Sequence, residues 1–484
     1  MTTTGAADAV GARTTPAIAT RWAALILLAE VALSGVLGSI RLGHKSLWYD
    51  EAFTAMAGAD GLSGAVDVAR HVDSNMPLYI AGVAVWRVFG DGDAALRSLS
   101  VVAAMLSVVV VYLLAARLHG RVTGLVAGFL MAIAPLGVRY SQELRSYSMT
   151  VLLVVLSTYL FVRVVETPSA GWVALYSIVT ALAFCSHLVV AFAVAGQLVS
   201  LCFLGRGRIP WRHLLVGLAA VVVLLVPLGL AVMSAADNQG GASAPSLGYI
   251  ARALGRLGGG WALAVIVVAF ALVAVVAAVR ALRAEGRSDH VWRLALAPMV
   301  AVVGFAGVFA QAIVLQQNWS ERYVLFVLPF VLITASVGLL RIGDRRVVAG
   351  VLVLVAVLAG LKIANWYRQP QDDWRAVVAA IAAKAEPGDA IVMCRNLYRV
   401  PVERYMLDQP EPARPQPLSP VGDWQPGIHI TDATPKASWD DYDRIWVMPW
   451  YTPTGPCTDL DWLDGRTKAA DFAVGDITVE RYDR

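Results

Sequence analysis

The sequence predicts an α-helical polytopic membrane protein of about eleven transmembrane helices carrying a small C-terminal α/β domain. Three observations predict it. Of 484 residues, 58% are hydrophobic and only 15% charged, with a mean hydropathy of +0.64, whereas soluble domains carry roughly a quarter charged residues. The apolar residues fall in runs of about 17–25, each long enough to cross a bilayer as a helix. Charge also divides the chain, with 26 Lys and Arg against 16 Asp and Glu through Asn365, but 13 against 19 beyond it. A basic membrane part (1–365) and an acidic, less apolar tail (366–484) imply two regions in two compartments. The composition excludes a cytosolic enzyme, a disordered chain and a disulfide-stapled secreted domain.

The first run begins near Trp22, after a polar segment with Arg13 and Arg21. No small-residue cleavage site follows, so it reads as a retained span. Further spans are expected at about 94–116, 122–138, 147–165, 171–186, 187–204, 213–233, 259–282, 292–316, 323–340 and 347–365. Five alternate connections are short and basic: Arg117 and Arg121; Arg163; Arg206, Arg208 and Arg212; Arg280, Arg283, Arg287 and Arg293; Arg341, Arg345 and Arg346. By the positive-inside rule these lie in the cytoplasm with the N-terminus. The other side then receives the loop 41–93, the turns 139–146, 186–187 and 317–322, the loop 234–258 and the tail. Only 5 of the 39 basic residues are Lys; with abundant Ala and Val this is an actinobacteria-like composition, placing the chain in a bacterial cytoplasmic membrane. Basic residues scattered through short loops exclude a nucleic-acid partner.

In the tail, 372–385 has helical periodicity with Trp374, Val377, Val378 and Ile381 as the apolar stripe, and Pro387-Gly388 stops it. Residues 390–393, 444–448 and 477–479 read as strands between Pro-rich loops. Cys185 and Cys202 fall in apolar spans. Cys394 and Cys457 fall in the exported tail, where a disulfide between them would persist.

The informative polar residues cluster on the expected outer face. Trp48-Tyr49-Asp50-Glu51 sets two acids among aromatics just beyond the first span. As a solvated loop it would mean nothing; in a semi-dry cleft, a carboxylate there is placed to take a proton from an alcohol. The turn with Arg139, Gln142, Glu143 and Arg145 puts cations where the charge bias does not want them, and Arg322 does so again. Ionisable groups at the membrane edge are functional by default, although arginine also snorkels to headgroups. His187 and His71 stand alone, and no His pair has metal-ligand spacing, so a dedicated zinc site is not expected. Asp50 with Glu143 could share a divalent cation such as Mg or Mn. There is no P-loop, no GxGxxG after a strand and no GxSxG, which argues against soluble nucleotide chemistry.

Taken in order, these motifs resemble the GT-C glycosyltransferases of the bacterial protein-mannosyltransferase-like group. The resemblance rests on Trp48-Tyr49-Asp50-Glu51-Ala52, Met76-Pro77-Leu78-Tyr79, Phe89-Gly90-Asp91 and Leu96-Arg97. It continues through Gly120-Arg121, Tyr140-Ser141-Gln142-Glu143 with Arg145 and Tyr147, Ser186-His187, Glu321-Arg322-Tyr323 with Pro329, Asp372-Asp373-Trp374-Arg375 and Pro387-Gly388-Asp389. It implies a GT-C fold and transfer of a sugar from a polyprenyl-phosphate donor to a hydroxyl of a cell-envelope glycan, lipid or protein, with inversion. It further implies that Asp50 is the general base and that Glu51, the second catalytic acid, orients the acceptor or tunes Asp50. Arg145, Arg322, Arg139 and His187 would face the donor phosphate. Glu143, Gln142, Tyr49, Tyr79 and His71 would contact acceptor, sugar or cation. Mannose is the expected sugar and arabinofuranose the main rival. Where the group has Thr-His-aromatic, this chain has Ser186-His187-Leu188.

Two other function classes fit the composition. A transporter or flippase of a lipid-linked sugar would place charges at mid-bilayer in matching halves, whereas here they sit at one edge and no internal repeat is visible. A catalytically silent assembly subunit would not need the intact Asp50-Glu51 pair.

Overall fold

The structure is a computed structural model and describes residues 19–484 apart from 73, 235–246, 258, 317–318, 395, 411–413, 419–422, 426–428, 432–440, 450–462 and 464. Among the described residues, seven helices are long and apolar enough to span a bilayer: α1 (Thr20–Ser39), α5 (Asp93–His119), α8 (Tyr147–Glu166), α14 (Trp261–Glu285), α15 (Asp289–Val314), α16 (Leu328–Leu340, with the 3-10 turn Glu321–Val327 before it) and α17 (Arg345–Arg368). Two expected spans are bent. α6 (Arg121–Ala132) meets α7 (Pro135–Ser141) at 58°, and α11 (Trp211–Leu224) meets the helix after it at 45°. That helix is α12 (Val226–Ser234). Pro135 and Pro227 open the second halves, where a missing N–H costs nothing but the preceding ladder is cut. The pair expected at 171–204 is two short helices, α9 (Ala170–Ser186) and α10 (Val190–Ser200), broken at His187. All eleven apolar segments thus lie where the hydropathy places them.

The connections are more structured than their sequence suggests. The segment 41–93 carries three helices, α2 (Tyr49–Ala57), α3 (Gly61–His71) and α4 (Pro77–Trp86), and α13 (Leu247–Leu257) lies within the expected loop 234–258. Without an 18-residue apolar run, such short helices are invisible to a hydropathy scan.

α5 is the central post, packed against α1, α6 and α8. One apolar core, including Val111, Leu114, Val154, Phe161, Val300 and Phe330, joins the long helices. α14 and α16 cross closely because Gly338 faces the Phe270 carbonyl, where a Cβ would collide with backbone.

The tail folds as α18 (Trp374–Ala382), β1 (Ala390–Met393), α19 (Asn396–Met406), β2 (Gln416–Leu418), β3 (Asp423–Gln425), β4 (His429–Thr431), β5 (Arg444–Met448), β6 (Thr467–Val474) and β7 (Ile477–Asp483). A five-stranded sheet has the order β2-β1-β5-β7-β6; β1 is parallel to β2 and β5, and β7 is antiparallel to β5 and β6. The expected helix and three strands are all present. Cys394, at the end of β1, is disulfide-bonded; its expected partner Cys457 lies outside the described residues. Cys185 and Cys202 are free.

One face of the sheet does not stand apart from the membrane part. Leu47, Phe53, Val68, Tyr79 and Leu96 share a single buried cluster with Trp374, Ile381, Tyr405 and Trp446. The tail is therefore packed directly behind α2, the helix that carries the two acids.

Candidate active site

Asp50 and Glu51 occupy the first turn of α2, where the helix dipole favours carboxylates. Adjacent in sequence, they have separate environments. Glu51 is buried and all four of its acceptor positions are filled. Oε1 accepts from Arg97 Nε at 2.7 Å and the Leu144 amide at 2.8 Å; Oε2 accepts from Arg97 Nη2 at 2.5 Å and the Trp48 amide at 3.3 Å. Arg97 spends its remaining donors on the carbonyls of Leu42, Lys45 and Ser46, so all five N–H groups are bonded. This pair ties α2, the segment 42–48 and the turn before α8 together. Glu51, expected as the second catalytic acid, thus has both carboxylate oxygens occupied by donors of the protein itself.

Asp50 is the accessible acid. Its Oδ2 accepts from Arg322 Nη1 at 3.0 Å, with the two side chains 19% and 25% exposed. Arg322 lies among the rings of Trp48, Tyr147 and Tyr323, at 5.5, 5.9 and 5.3 Å, a low-dielectric setting that strengthens its charge. Arg145 donates instead to the Asp50 carbonyl at 3.3 Å and to Thr54 Oγ1 at 3.1 Å, bracing α2 by its backbone. Buried His187 accepts from the Val189 amide through Nδ1 at 3.4 Å and stacks near Tyr147 and Tyr323. It supports the rings around Arg322 and does not reach the cavity.

Arg322 lines a cavity of about 330 Å³ with Trp48, Glu51, Arg97, Arg139, Gln142, Glu143, Glu321 and Trp366. Lys45 and Arg41 complete its basic rim. Arg139 faces Glu143 at 3.5 Å and Glu321 at 3.8 Å, and lies over Trp366 at 4.9 Å; Lys45 covers the same ring at 3.6 Å. Burial pushes the Glu143 carboxyl up to about 7, opposed by Arg139 and reinforced by Glu51. Burial, with Arg139 and Arg97 nearby, brings Lys45 down to about 8. Gln142 touches the cavity, but its amide is committed: nitrogen to the Gly38 and Ile40 carbonyls at 3.1 and 2.8 Å, oxygen to Trp366 Nε1 at 2.9 Å.

Three expected contacts lie elsewhere. Tyr79 is fully buried and bonded to Ser100 Oγ at 2.7 Å. His71 ends α3 and bonds the Asp67 carbonyl, outside the cavity lining. Tyr49 packs against the buried cluster shared with the tail. Among the described residues no three His, Cys, Asp or Glu side chains gather. Asp50 and Glu143 each face a guanidinium, Arg322 and Arg139. Conversely, Lys45, Arg97, Glu321 and Trp366 were not singled out as site residues. Arg97 and Glu321 were visible only as motif residues, and Trp366 only as the end of a span.

Two further cavities adjoin the first in series. One of about 370 Å³ shares Arg139 and Trp366 with it and adds Arg252, Arg256 and Lys362. The next, about 510 Å³ and lined by apolar side chains of α6, α14, α16 and α17, shares Pro135 and Trp261 with the second. An apolar cavity and a cationic one thus lie in series beside the cavity that Arg322 lines.

The whole architecture matches solved structures. ArnT from Cupriavidus metallidurans superposes with a TM-score of 0.67 in the apo state and 0.65 bound to undecaprenyl phosphate, at 16% and 15% identity, covering 96% of this chain and 98% of that one. The chain has the GT-C fold. The Archaeoglobus fulgidus oligosaccharyltransferase shares it at TM-score 0.56 and 11% identity, over 84% of this chain and 66% of that one. Within this GT-C chain, residues 75–230 match the family of dolichyl-phosphate-mannose-protein mannosyltransferases. A comparison with curated proteins finds no match.

Proposed function

We propose that the protein is an inverting glycosyltransferase that moves a sugar from a polyprenyl-phosphate donor to a hydroxyl of a cell-envelope glycan, lipid or protein on the outer face of the cytoplasmic membrane. The observation that carries this reading is the contact between a carboxylate and a ring-flanked guanidinium, Asp50 with Arg322, beside a cavity lined by that guanidinium and adjoined in turn by a cationic and an apolar cavity. The isoprenoid tail would lie between α6, α14, α16 and α17, and its phosphate would be drawn towards Arg139, Arg256 and Arg322. Asp50 takes the proton of the acceptor hydroxyl as its oxygen bonds to the anomeric carbon. The anomeric carbon–phosphate oxygen bond breaks, and the electron pair leaves with the polyprenyl phosphate, stabilised by Arg322. A phosphate leaves readily, so no general acid is needed. A single displacement inverts the centre. Mannose is the favoured sugar, supported by the family matched over residues 75–230, and arabinofuranose is next.

The test uses the chain in lipid nanodiscs with radiolabelled polyprenyl-phosphate sugars and a crude envelope acceptor. Release of polyprenyl phosphate from one donor by wild type, and loss of at least 10²-fold in folded Asp50→Asn, is the expected result. Near-normal turnover by Asp50→Asn would remove Asp50 from the mechanism. Turnover of no donor would favour a silent assembly subunit.

A further inference from the structure

At the opposite end of α5, about 30 Å from Arg97 at 1.5 Å per residue, lies a second polar cavity of about 250 Å³. It is set where α5 and α8 end and α15 begins. Arg117, Arg208 and Arg293 line it with Glu166 and Asp289, over an apolar floor that includes Trp292. Glu166, 13% exposed, bridges Arg117 Nε at 2.5 Å and Arg293 Nη2 at 2.6 Å, and Arg293 Nη1 is fixed on the Arg117 carbonyl at 3.1 Å. Arg208 Nη2 bonds Asp289 at 2.9 Å. Among the described residues, Arg117 Nη1 and Nη2 and Arg208 Nε and Nη1 have no protein acceptor. Four guanidinium nitrogens on two orientated side chains therefore edge one cavity at the rim of the bundle, none of them used by the site at the other end.

We propose that this cavity binds the phosphate group of an anionic bilayer lipid. Guanidinium forks match phosphate oxygens in geometry and charge, and basic pockets between transmembrane helices select anionic headgroups. A lipid is favoured over free phosphate because the cavity lies at the ends of the long apolar helices α5 and α8 and Val165, Leu204 and Trp292 line it beside the charges. The carboxylates are already neutralised by Arg293 and by the exposed part of Arg208, so an added phosphate meets net positive charge.

The test titrates the purified chain with phosphatidylglycerol, phosphatidylcholine and inorganic phosphate, scored by native mass spectrometry. One phosphatidylglycerol should bind at least tenfold more tightly than phosphatidylcholine. At about fivefold per arginine, Arg117→Gln/Arg208→Gln should weaken it roughly 30-fold, and Arg208→Gln alone about fivefold. Glu166 keeps Arg293 in both variants, and the single variant alters only an exposed pair. Arg280→Gln/Arg283→Gln removes the same charge at the same end, outside the cavity, and should change nothing. Equal binding of the two lipids, or equal loss in the control pair, would overturn the site. Stoichiometric displacement of phosphatidylglycerol by inorganic phosphate would overturn the lipid assignment.

Discussion

Replacing Arg97 by Met tests whether the Glu51–Arg97 pair holds the catalytic loop. Arg97 makes five hydrogen bonds, two to a buried carboxylate and three to carbonyls of residues 42–46. Methionine leaves Glu51 buried without its counter-charge and the three carbonyls without their shared donor. Losing one member of a buried pair costs about 3–5 kcal/mol. That cost should fall on local opening of the loop, because the long helices keep their own core. The amides of Trp48 and Leu144 both donate to Glu51, so native-state hydrogen exchange reads the effect directly. At one factor of ten per ~1.4 kcal/mol, their exchange should accelerate roughly 150-fold or more, while amides in the middle of α5 stay protected. The double variant Glu51→Gln/Arg97→Met should recover much of the loss, because no orphan charge remains. Protection unchanged within about threefold in Arg97→Met, or a double variant as costly as the summed singles, would refute the reasoning.

Two other outcomes follow from the same geometry. A polyprenyl-phosphate sugar is a diester of fixed single charge, so its affinity should follow the protein's titrations. As pH rises, Glu143 gains negative charge near 7 and Lys45 loses positive charge near 8; both changes disfavour an anion. Donor affinity should therefore fall between pH 6 and 9 by about fivefold per charge, taking ~1 kcal/mol for each. Glu143→Gln should remove the lower limb and Lys45→Arg the upper, read by equilibrium donor binding. Tyr405 of α19 accepts from the Leu47 amide and donates to Asp93, both at 2.6 Å. Tyr405→Phe should cost about 1–3 kcal/mol, much of it from the unsatisfied Leu47 amide, and should speed tryptic cleavage at Arg41 and Lys45.

The tail contacts give the C-terminal region a physical role. Tyr405 and Ser46, which accepts the Trp374 amide at 3.0 Å and donates to the Asp372 carbonyl at 2.6 Å, fix both sides of the segment leading into α2. The sheet then acts as a buttress for Asp50.

The sequence alone determined the membrane class, all eleven apolar segments, the split into basic and acidic parts, and the helix and three strands it named in the tail. These depend on runs, periodicity and charge bias, which are local properties of the chain. It also singled out Asp50, Arg322, Arg139 and Glu143, because charged groups at a membrane edge stand out against their surroundings. Tertiary structure alone decided how the acids divide. Asp50 and Glu51 are neighbours in sequence, yet successive helical positions point about 100° apart, so one meets Arg322 and the other Arg97. The same holds for Trp366, which is near residue 45 only because α17 returns to the end of α1. Tyr79 and His71 share a segment with the acids without sharing a direction. Burial, saturation of hydrogen bonds and the meeting of distant elements are properties of the packed chain, and they separate the accessible acid from the buried one.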